Sequence, residues 1–229
     1  MGEFITFSNG AEDVSGYLAR PESGRGPGVI VLQEWWGLVP HICDICDRFA
    51  AAGFTALAPD LFGGETTTDP DQAATLMQAL HIGEAEAILR KAILVLLADP
   101  ATQPNDKVGV VGFCMGGQLA MFAAGSNPVI KAVVNFYGIH PNVQPSYREI
   151  QGPVLGIFAE HDDYASPSAV HALETELAVF EKDHEFHIYP AAHHAFFNGT
   201  RPEVYNPDAA ADAWGKTVGF LRQELSAER

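Results

Sequence analysis

The chain has 229 residues and carries 13 Lys and Arg against 29 Asp and Glu, so its formal net charge at pH 7 is −16. A charge this negative repels phosphate backbones and anionic lipid headgroups, so we expect neither nucleic acid nor a membrane surface as a partner. Hydrophobic residues make up 47% of the chain and charged residues 18%, which is typical of a folded globular domain and excludes a largely disordered chain.

The N-terminal segment and the cysteine content bear on the compartment. The first residues, MGEFITFS, contain neither the basic nor the apolar region of a secretory signal. No segment approaches the roughly 18 consecutive apolar residues of a membrane-spanning helix. Three cysteines are an odd number in a chain of this size, which argues against a disulfide framework and favours a reducing compartment. We therefore expect a cytoplasmic protein.

Short apolar runs alternate with helical patterns along most of the chain. We expect an antiparallel hairpin over 4–7 and 14–18, then strands over 28–33, 54–58, 107–112, 129–136, 153–158 and 185–189. Helices are expected over 39–52, 70–80, 82–98, 115–125, 167–181 and 207–225. This alternation predicts one doubly wound α/β domain spanning residues 1–229, with ligand-binding loops where the parallel strands end.

The segment GFCMGG, residues 112–117, lies between a predicted strand and a predicted helix. It matches the nucleophile elbow G-x-nucleophile-x-G, with Cys114 at the nucleophile position. Glycines allow the strained turn and the close approach of neighbouring backbone, and the helix N-terminus favours a thiolate. The alternative is a buried structural cysteine at a glycine-rich helix start, but the strand-turn-helix context favours a nucleophile.

A base is expected on the loop after the last predicted strand, in the segment AHHAFF at 192–197. In α/β hydrolases the nucleophile, the acid and the histidine follow one another in this order along the chain. Either His193 or His194 could serve. We favour His194, because the Ala-Phe-Phe that follows it can pack and hold the ring.

An acid that orients the histidine is expected after the strand ending at residue 158, in the segment EHDD at 160–163. Glu160, Asp162 and Asp163 compete for this role. A solvated acidic loop is the alternative, but the position between nucleophile and histidine favours a catalytic acid.

The segment QEWWG, residues 33–37, follows the first long predicted strand. The backbone N–H of Trp35 is expected to pair with that of Met115 as an oxyanion hole. A charged Glu34 near Cys114 would raise the pKa of the thiol and keep the sulfur protonated until substrate rearranges the pair. A Glu34 bonded to nearby backbone is the alternative, and the two tryptophans could form a lid or pack in the core.

Cys43 and Cys46 have the spacing C-x-x-C within the first predicted helix. They lie in step with its apolar residues, and no second pair or histidine stands at metal-ligand spacing. We expect helix packing here, and no metal.

Together, QEWWG, PDLFGG (59–64), GFCMGG, FAEHDD and HHAFFN resemble the dienelactone hydrolase family over nearly the whole chain. The resemblance implies a single-domain α/β-hydrolase fold, with a mostly parallel central sheet and helices on both faces. It also implies that Cys114 is the nucleophile, Asp162 the acid, His194 the base and Glu34 the carboxylate that controls the thiol. Members of this family need no metal or cofactor.

The sequence departs from this family in its basic residues. Members that act on dienelactone bind its carboxylate with two arginines, one after PDLFGG and one shortly after the catalytic histidine. Here residues 69–80 contain no Arg or Lys, and Asn198 follows the histidine, with Arg201 slightly further along. Our candidate substrate contacts are Arg201 and three aromatic residues within the motifs, Trp36, Phe113 and Phe197.

These observations predict a cysteine-dependent hydrolase of small-molecule esters or lactones that forms a thioester acyl-enzyme, as a monomer or homodimer. The alternatives are a non-catalytic ligand-binding or thiol redox-sensing module on the same fold, and a thioesterase of related mechanism.

Overall fold

Eight strands form one continuous sheet in this computed structural model, which describes residues 1–10, 12–140 and 143–225. The strands are β1 (Glu3–Ser8), β2 (Asp13–Ala19), β3 (Gly28–Leu32), β4 (Thr55–Pro59), β5 (Val108–Phe113), β6 (Ile130–Phe136), β7 (Val154–His161) and β8 (His184–His193). Their order across the sheet is β1-β2-β4-β3-β5-β6-β7-β8. β1 and β2 form the expected antiparallel hairpin, β2 is also antiparallel to β4, and all other pairs are parallel.

Six α-helices connect and cover the strands. They are α1 (Pro40–Ala51), α2 (Pro70–Ala79), α3 (Ile82–Ala98), α4 (Met115–Ser126), α5 (Pro167–Val179) and α6 (Pro207–Leu225), and a 3₁₀ turn spans Tyr147–Glu149. In the part of the chain that the structure describes, no helix combines the length and the apolar character needed to cross a bilayer.

The sheet separates two hydrophobic clusters. Alternate side chains of β3 show this: Val29 and Val31 belong to the cluster under α1 and α6, whereas Ile30 and Leu32 belong to the cluster under α3, α4 and α5. Because successive side chains of a strand point to opposite faces, a run that is apolar throughout needs helices on both sides. The fold is the expected single-domain α/β arrangement.

The last two strands are longer than the sequence predicts. β7 continues to His161 and β8 runs from His184 to His193, and these two end residues pair in register beyond an irregularity near Ala159. Apolar alternation could not reveal the extensions, because their side chains are mostly exposed while backbone hydrogen bonding continues. Glu160 and His193 therefore lie on strand ends and not in loops.

Cys43 and Cys46 lie on α1, as the apolar pattern predicts. Cys46 is buried and Cys43 is half-buried, and both are free thiols. Burial raises the pKa of Cys43 to about 11, so its thiol stays protonated at neutral pH.

Candidate active site

Cys114 occupies a strained turn between β5 and α4. Its backbone has φ 54° and ψ −120°, a left-handed conformation that a residue with a side chain rarely adopts. A Cβ atom on Gly112 would overlap the backbone of Gly116, so the flanking glycines permit the turn. The sulfur therefore lies at the N-terminus of α4, where the helix dipole and unpaired N–H groups stabilise negative charge.

Asp162 and His194 form a hydrogen-bonded pair. The distance between Nδ1 of His194 and Oδ2 of Asp162 is 2.7 Å. The other oxygen of Asp162 accepts hydrogen bonds from the backbone N–H groups of Tyr164 and Ala165, each at 2.8 Å. Burial alone would raise the pKa of Asp162, but these hydrogen bonds hold it below the ordinary value. Asp162 is thus an oriented, ionised carboxylate.

The competing acids and the neighbouring histidine are placed differently. Glu160 accepts a hydrogen bond from the backbone N–H of Ala191 on β8 at 2.8 Å. Asp163 is exposed at the edge of the cavity described below, and the ring of His193 lies 5.3 Å from that of His161. The structure therefore brings together one of the three candidate acids and one of the two candidate histidines.

The His194 ring lies between two tyrosines and next to the sulfur of Cys114. Its centroid is 5.1 Å from that of Tyr137 and 5.0 Å from that of Tyr164. Burial lowers the pKa of His194, but the hydrogen bond to Asp162 and the interaction with Cys114 outweigh it and raise the pKa to about 10. The His194 ring therefore holds its proton tightly beside the Cys114 side chain.

Glu34 is buried at the same site, with 1% of its surface exposed. Its Oε2 accepts a hydrogen bond of 2.8 Å from Nδ2 of Asn198, and the hydroxyl of Tyr137 faces the same carboxyl group. Burial raises the pKa of Glu34, while the Asn198 bond and the nearby charges of His194 and Arg201 oppose this rise. Glu34 therefore holds a proton more tightly than an exposed glutamate does.

Tyr137 and Asn198 are site residues that the sequence analysis did not assign. Tyr137 follows β6 with φ 41°, is 1% exposed, and its hydroxyl faces the Glu34 carboxyl group. Burial raises the pKa of Tyr137 well above its ordinary value, and the charges of Glu34 and Cys114 raise it further. Its position where β6 ends, beside the nucleophile strand, was the signal available in the sequence.

Part of this site borders a cavity of about 410 Å³. Its lining includes Glu34, Trp35, Trp36, Cys114, Met115, Tyr137, His194 and Arg201. As the first residue of α4, Met115 has a backbone N–H without an acceptor inside the helix, as an oxyanion donor needs. Within the described ranges, no group of three or more His, Cys, Asp or Glu side chains is arranged to hold a metal ion.

The chain matches known proteins over almost its whole length. The model of the dienelactone hydrolase family matches residues 14–225. The chain belongs to this family. "Protein usf" of Aquifex pyrophilus is 38% identical over 99% of this chain and 100% of its own length. A "Putative carboxymethylenebutenolidase" of Aquifex aeolicus (strain VF5) is 34% identical over 98% of this chain and 100% of its own length.

A solved structure gives the same result. The crystal structure of a "Putative Dienelactone Hydrolase" from Klebsiella pneumoniae subsp. pneumoniae MGH 78578 superposes with a TM-score of 0.88 and 26% identity, covering 97% of this chain and 98% of that one. This dienelactone hydrolase family protein is accordingly a hydrolase of ester or lactone bonds, which favours an enzyme over a non-catalytic binding or sensing module.

Two of the expected substrate contacts do not reach the cavity of this family member. Phe113 and Phe197 are 0% and 1% exposed, and their rings stack with centroids 5.5 Å apart. Phe113 is the last residue of β5, and its side chain points into the cluster under α1 and α6. Both residues are part of the core, so the expectation that they contact substrate is corrected here.

Trp36 and Arg201 do line the cavity. The guanidinium carbon of Arg201 lies 5.7 Å from the ring centroid of Trp36, and its Nε donates to Glu203 at 2.9 Å. Among the described residues lining this cavity, Arg201 is the one Lys or Arg. A positive group is thus available at the site despite the acidic character of the chain.

Proposed function

We propose that Cys114 attacks the carbonyl carbon of an ester or lactone and forms a thioester acyl-enzyme. The observation that carries this proposal is the strained Cys114 turn beside a histidine whose Nδ1 lies 2.7 Å from Asp162. Nucleophile, base and orienting acid are the three parts that acyl transfer to a side chain requires. Cys114 lies at a helix N-terminus, backbone N–H groups hold Asp162, and Asp162 in turn orients His194.

In the first step the thiolate forms a C–S bond, and the carbonyl π electrons move onto oxygen. The backbone N–H groups of Trp35 and Met115 stabilise that oxyanion. When the oxyanion collapses, the C–O bond to the alcohol breaks and the alkoxide takes a proton from the His194 imidazolium. With a lactone, the alcohol remains attached to the acyl group at its other end.

In the second step water attacks the thioester. His194 removes a proton from this water, and Asp162 stabilises the imidazolium that forms. The tetrahedral intermediate expels the Cys114 thiolate and releases a carboxylic acid. Glu34 influences when the thiolate forms, because a negative carboxylate close to sulfur favours the protonated thiol. Substrate binding that displaces Glu34 would release this restraint.

Activated esters and lactones fit this chemistry better than amides do. A thiolate leaves the tetrahedral intermediate more readily than an amine, so an amide would mostly return to starting material.

The name of the relative from Aquifex aeolicus, a "Putative carboxymethylenebutenolidase", supports a lactone substrate. Arg201 is the group that would bind a substrate carboxylate. A reducing compartment such as the cytoplasm suits a thiol nucleophile. The oligomeric state, monomer or homodimer, remains a prediction.

The test is steady-state hydrolysis of dienelactone, a neutral aryl ester and a neutral lactone by wild type, Cys114→Ala and Cys43→Ala. We expect Cys114→Ala to lose at least about 1,000-fold in kcat/KM on every substrate that is turned over. Cys43→Ala is the control, because Cys43 is a half-buried thiol on α1. Full activity of Cys114→Ala would overturn the proposal, and loss in Cys43→Ala would show a non-specific effect of removing a thiol.

A further inference from the structure

Asn198 is held from both sides of its amide. It is 2% exposed. Its Oδ1 accepts two hydrogen bonds from Thr200, at 3.0 Å from the backbone N–H and 2.6 Å from Oγ1. Its Nδ2 donates to Oε2 of Glu34 at 2.8 Å. The Asn198 amide therefore links an exposed threonine to a buried carboxyl group at the active site.

The two Thr200 donors determine which end of the amide faces Glu34. A backbone N–H can only donate, and an amide NH₂ can only donate. Rotating the Asn198 amide by half a turn would place its NH₂ against the Thr200 N–H, where neither can accept. The same rotation would present Oδ1 to Glu34, and an amide oxygen accepts a hydrogen bond from a protonated carboxyl but repels a carboxylate.

We infer that Thr200 is a positioning residue: by fixing the Asn198 amide it holds an N–H donor on Glu34 and so favours the ionised carboxylate. This inference rests on the proposed function, because it deepens the account of how Glu34 controls Cys114. Burial works in the opposite direction and raises the pKa of Glu34. Thr200 thereby keeps the negative charge that delays thiolate formation.

Other charged and titratable groups also face Glu34. Tyr137 follows β6, and His194 and Arg201 lie on the segment after β8. Cys114 at the elbow interacts with two of them, Tyr137 and His194. None of them is changed by substitutions at residues 198 and 200. A shift in the pH dependence of Cys114 in such variants therefore reports on Glu34 through the amide.

The experiment measures alkylation of Cys114 by iodoacetamide against pH, with the Cys114 peptide quantified by mass spectrometry. Thr200→Val removes one of the two donors that orient the Asn198 amide. The amide then holds its N–H on Glu34 less firmly, so Glu34 is protonated more readily and the thiolate forms at lower pH. We expect a shift of about half a pH unit, which is about threefold faster alkylation below the midpoint. Asn198→Leu removes the donor to Glu34 without adding a charge and should shift the midpoint further in the same direction.

Two further variants serve as controls. Thr200→Ser keeps the hydroxyl and should behave like wild type. Thr175→Val removes an exposed threonine hydroxyl that donates to a backbone carbonyl on α5, a helix that carries none of the site residues, and should also leave the midpoint unchanged. Thermal unfolding checks that each variant is folded, and Thr200→Val alone decides the matter if Asn198→Leu is not.

Unchanged alkylation profiles in folded Thr200→Val would overturn the inference. Because alkylation does not require turnover, this result is separate from a failure of the proposed function. Full hydrolysis by Cys114→Ala would overturn the proposed function, while the alkylation profile would still decide whether Thr200 acts on Glu34. A shift that Thr200→Ser shows equally would also count against the inference, since the hydroxyl would then be irrelevant.

Discussion

Nδ1 of His194 lies 2.7 Å from Oδ2 of Asp162, across 32 residues of chain. The two side chains come together because β7 and β8 are adjacent and parallel, so the segments that follow them lie at the same edge of the sheet. Two backbone N–H groups hold the other oxygen of Asp162 in place. The pair is fixed before substrate binds, which reduces the cost of orienting the base.

This pair predicts a pH dependence of stability. The folded-state pKa of His194 is raised from 6.5 to about 10, so its protonated form stabilises the fold. That stabilisation is complete below pH 6.5 and disappears as the pH rises through about 10. We expect the difference in urea unfolding free energy between wild type and His194→Gln to shrink from pH 7 to pH 10.

His171→Gln is the matched control for this measurement, because the His171 side chain is 69% exposed and pairs with Glu174 on the same helix. Its unfolding free energy should follow wild type throughout. A His194→Gln difference that stays constant across the range would contradict the prediction.

Glu34→Gln should make the protein more stable. The raised pKa of Glu34 means that the folded state disfavours its carboxylate, so this residue costs stability increasingly as the pH rises above its ordinary value of 4.5. Glutamine removes the charge and can still accept from Asn198. We expect a gain on the order of 1 kcal/mol at neutral pH, larger at pH 8 than at pH 5, measured by urea unfolding. A loss of stability at neutral pH would count against this account.

Arg201→Gln should discriminate between substrates. Arg201 lines the cavity and is held by an exposed partner, Glu203, which a substrate carboxylate can replace. We expect KM to rise about tenfold for a carboxylate-bearing ester and to stay within about twofold for its neutral methyl ester. Arg90→Gln, which removes a surface arginine on α3, should change neither. An equal effect on both esters would mean that Arg201 does not recognise charge.

Arg48→Met should lower the free energy of unfolding, because Arg48 lies over two aromatic rings. The guanidinium carbon of Arg48 lies 4.3 Å from the Trp214 ring and 5.0 Å from the Phe197 ring. Methionine keeps an unbranched apolar chain but carries no positive charge. We expect the free energy of unfolding in urea to fall by about 1 kcal/mol. Arg148→Met, on an exposed arginine 5.3 Å from Phe180, should cost less. Equal losses would indicate that the aromatic pair adds nothing.

Local sequence patterns are enough to predict the fold class and the edge of the sheet at which we expect the site. Runs that are apolar on both faces, such as Val29 to Leu32, require helices on both sides of a sheet, and this follows from local composition alone. The sequence also predicts the elbow, because glycines flank Cys114 in GFCMGG. In the structure only glycine fits where Gly112 meets the backbone of Gly116. Parallel strands then place the following loops at one edge.

Tertiary contacts distinguish between chemically equivalent neighbours at the candidate site. Asp162 and Asp163 differ in no property visible in the sequence, yet the path of the backbone directs one towards His194 and the other to the surface. Asn198 meets Glu34 across 164 residues, and Phe197 turns into the core. Such pairings depend on side-chain direction, which is set by packing between elements that are distant in sequence.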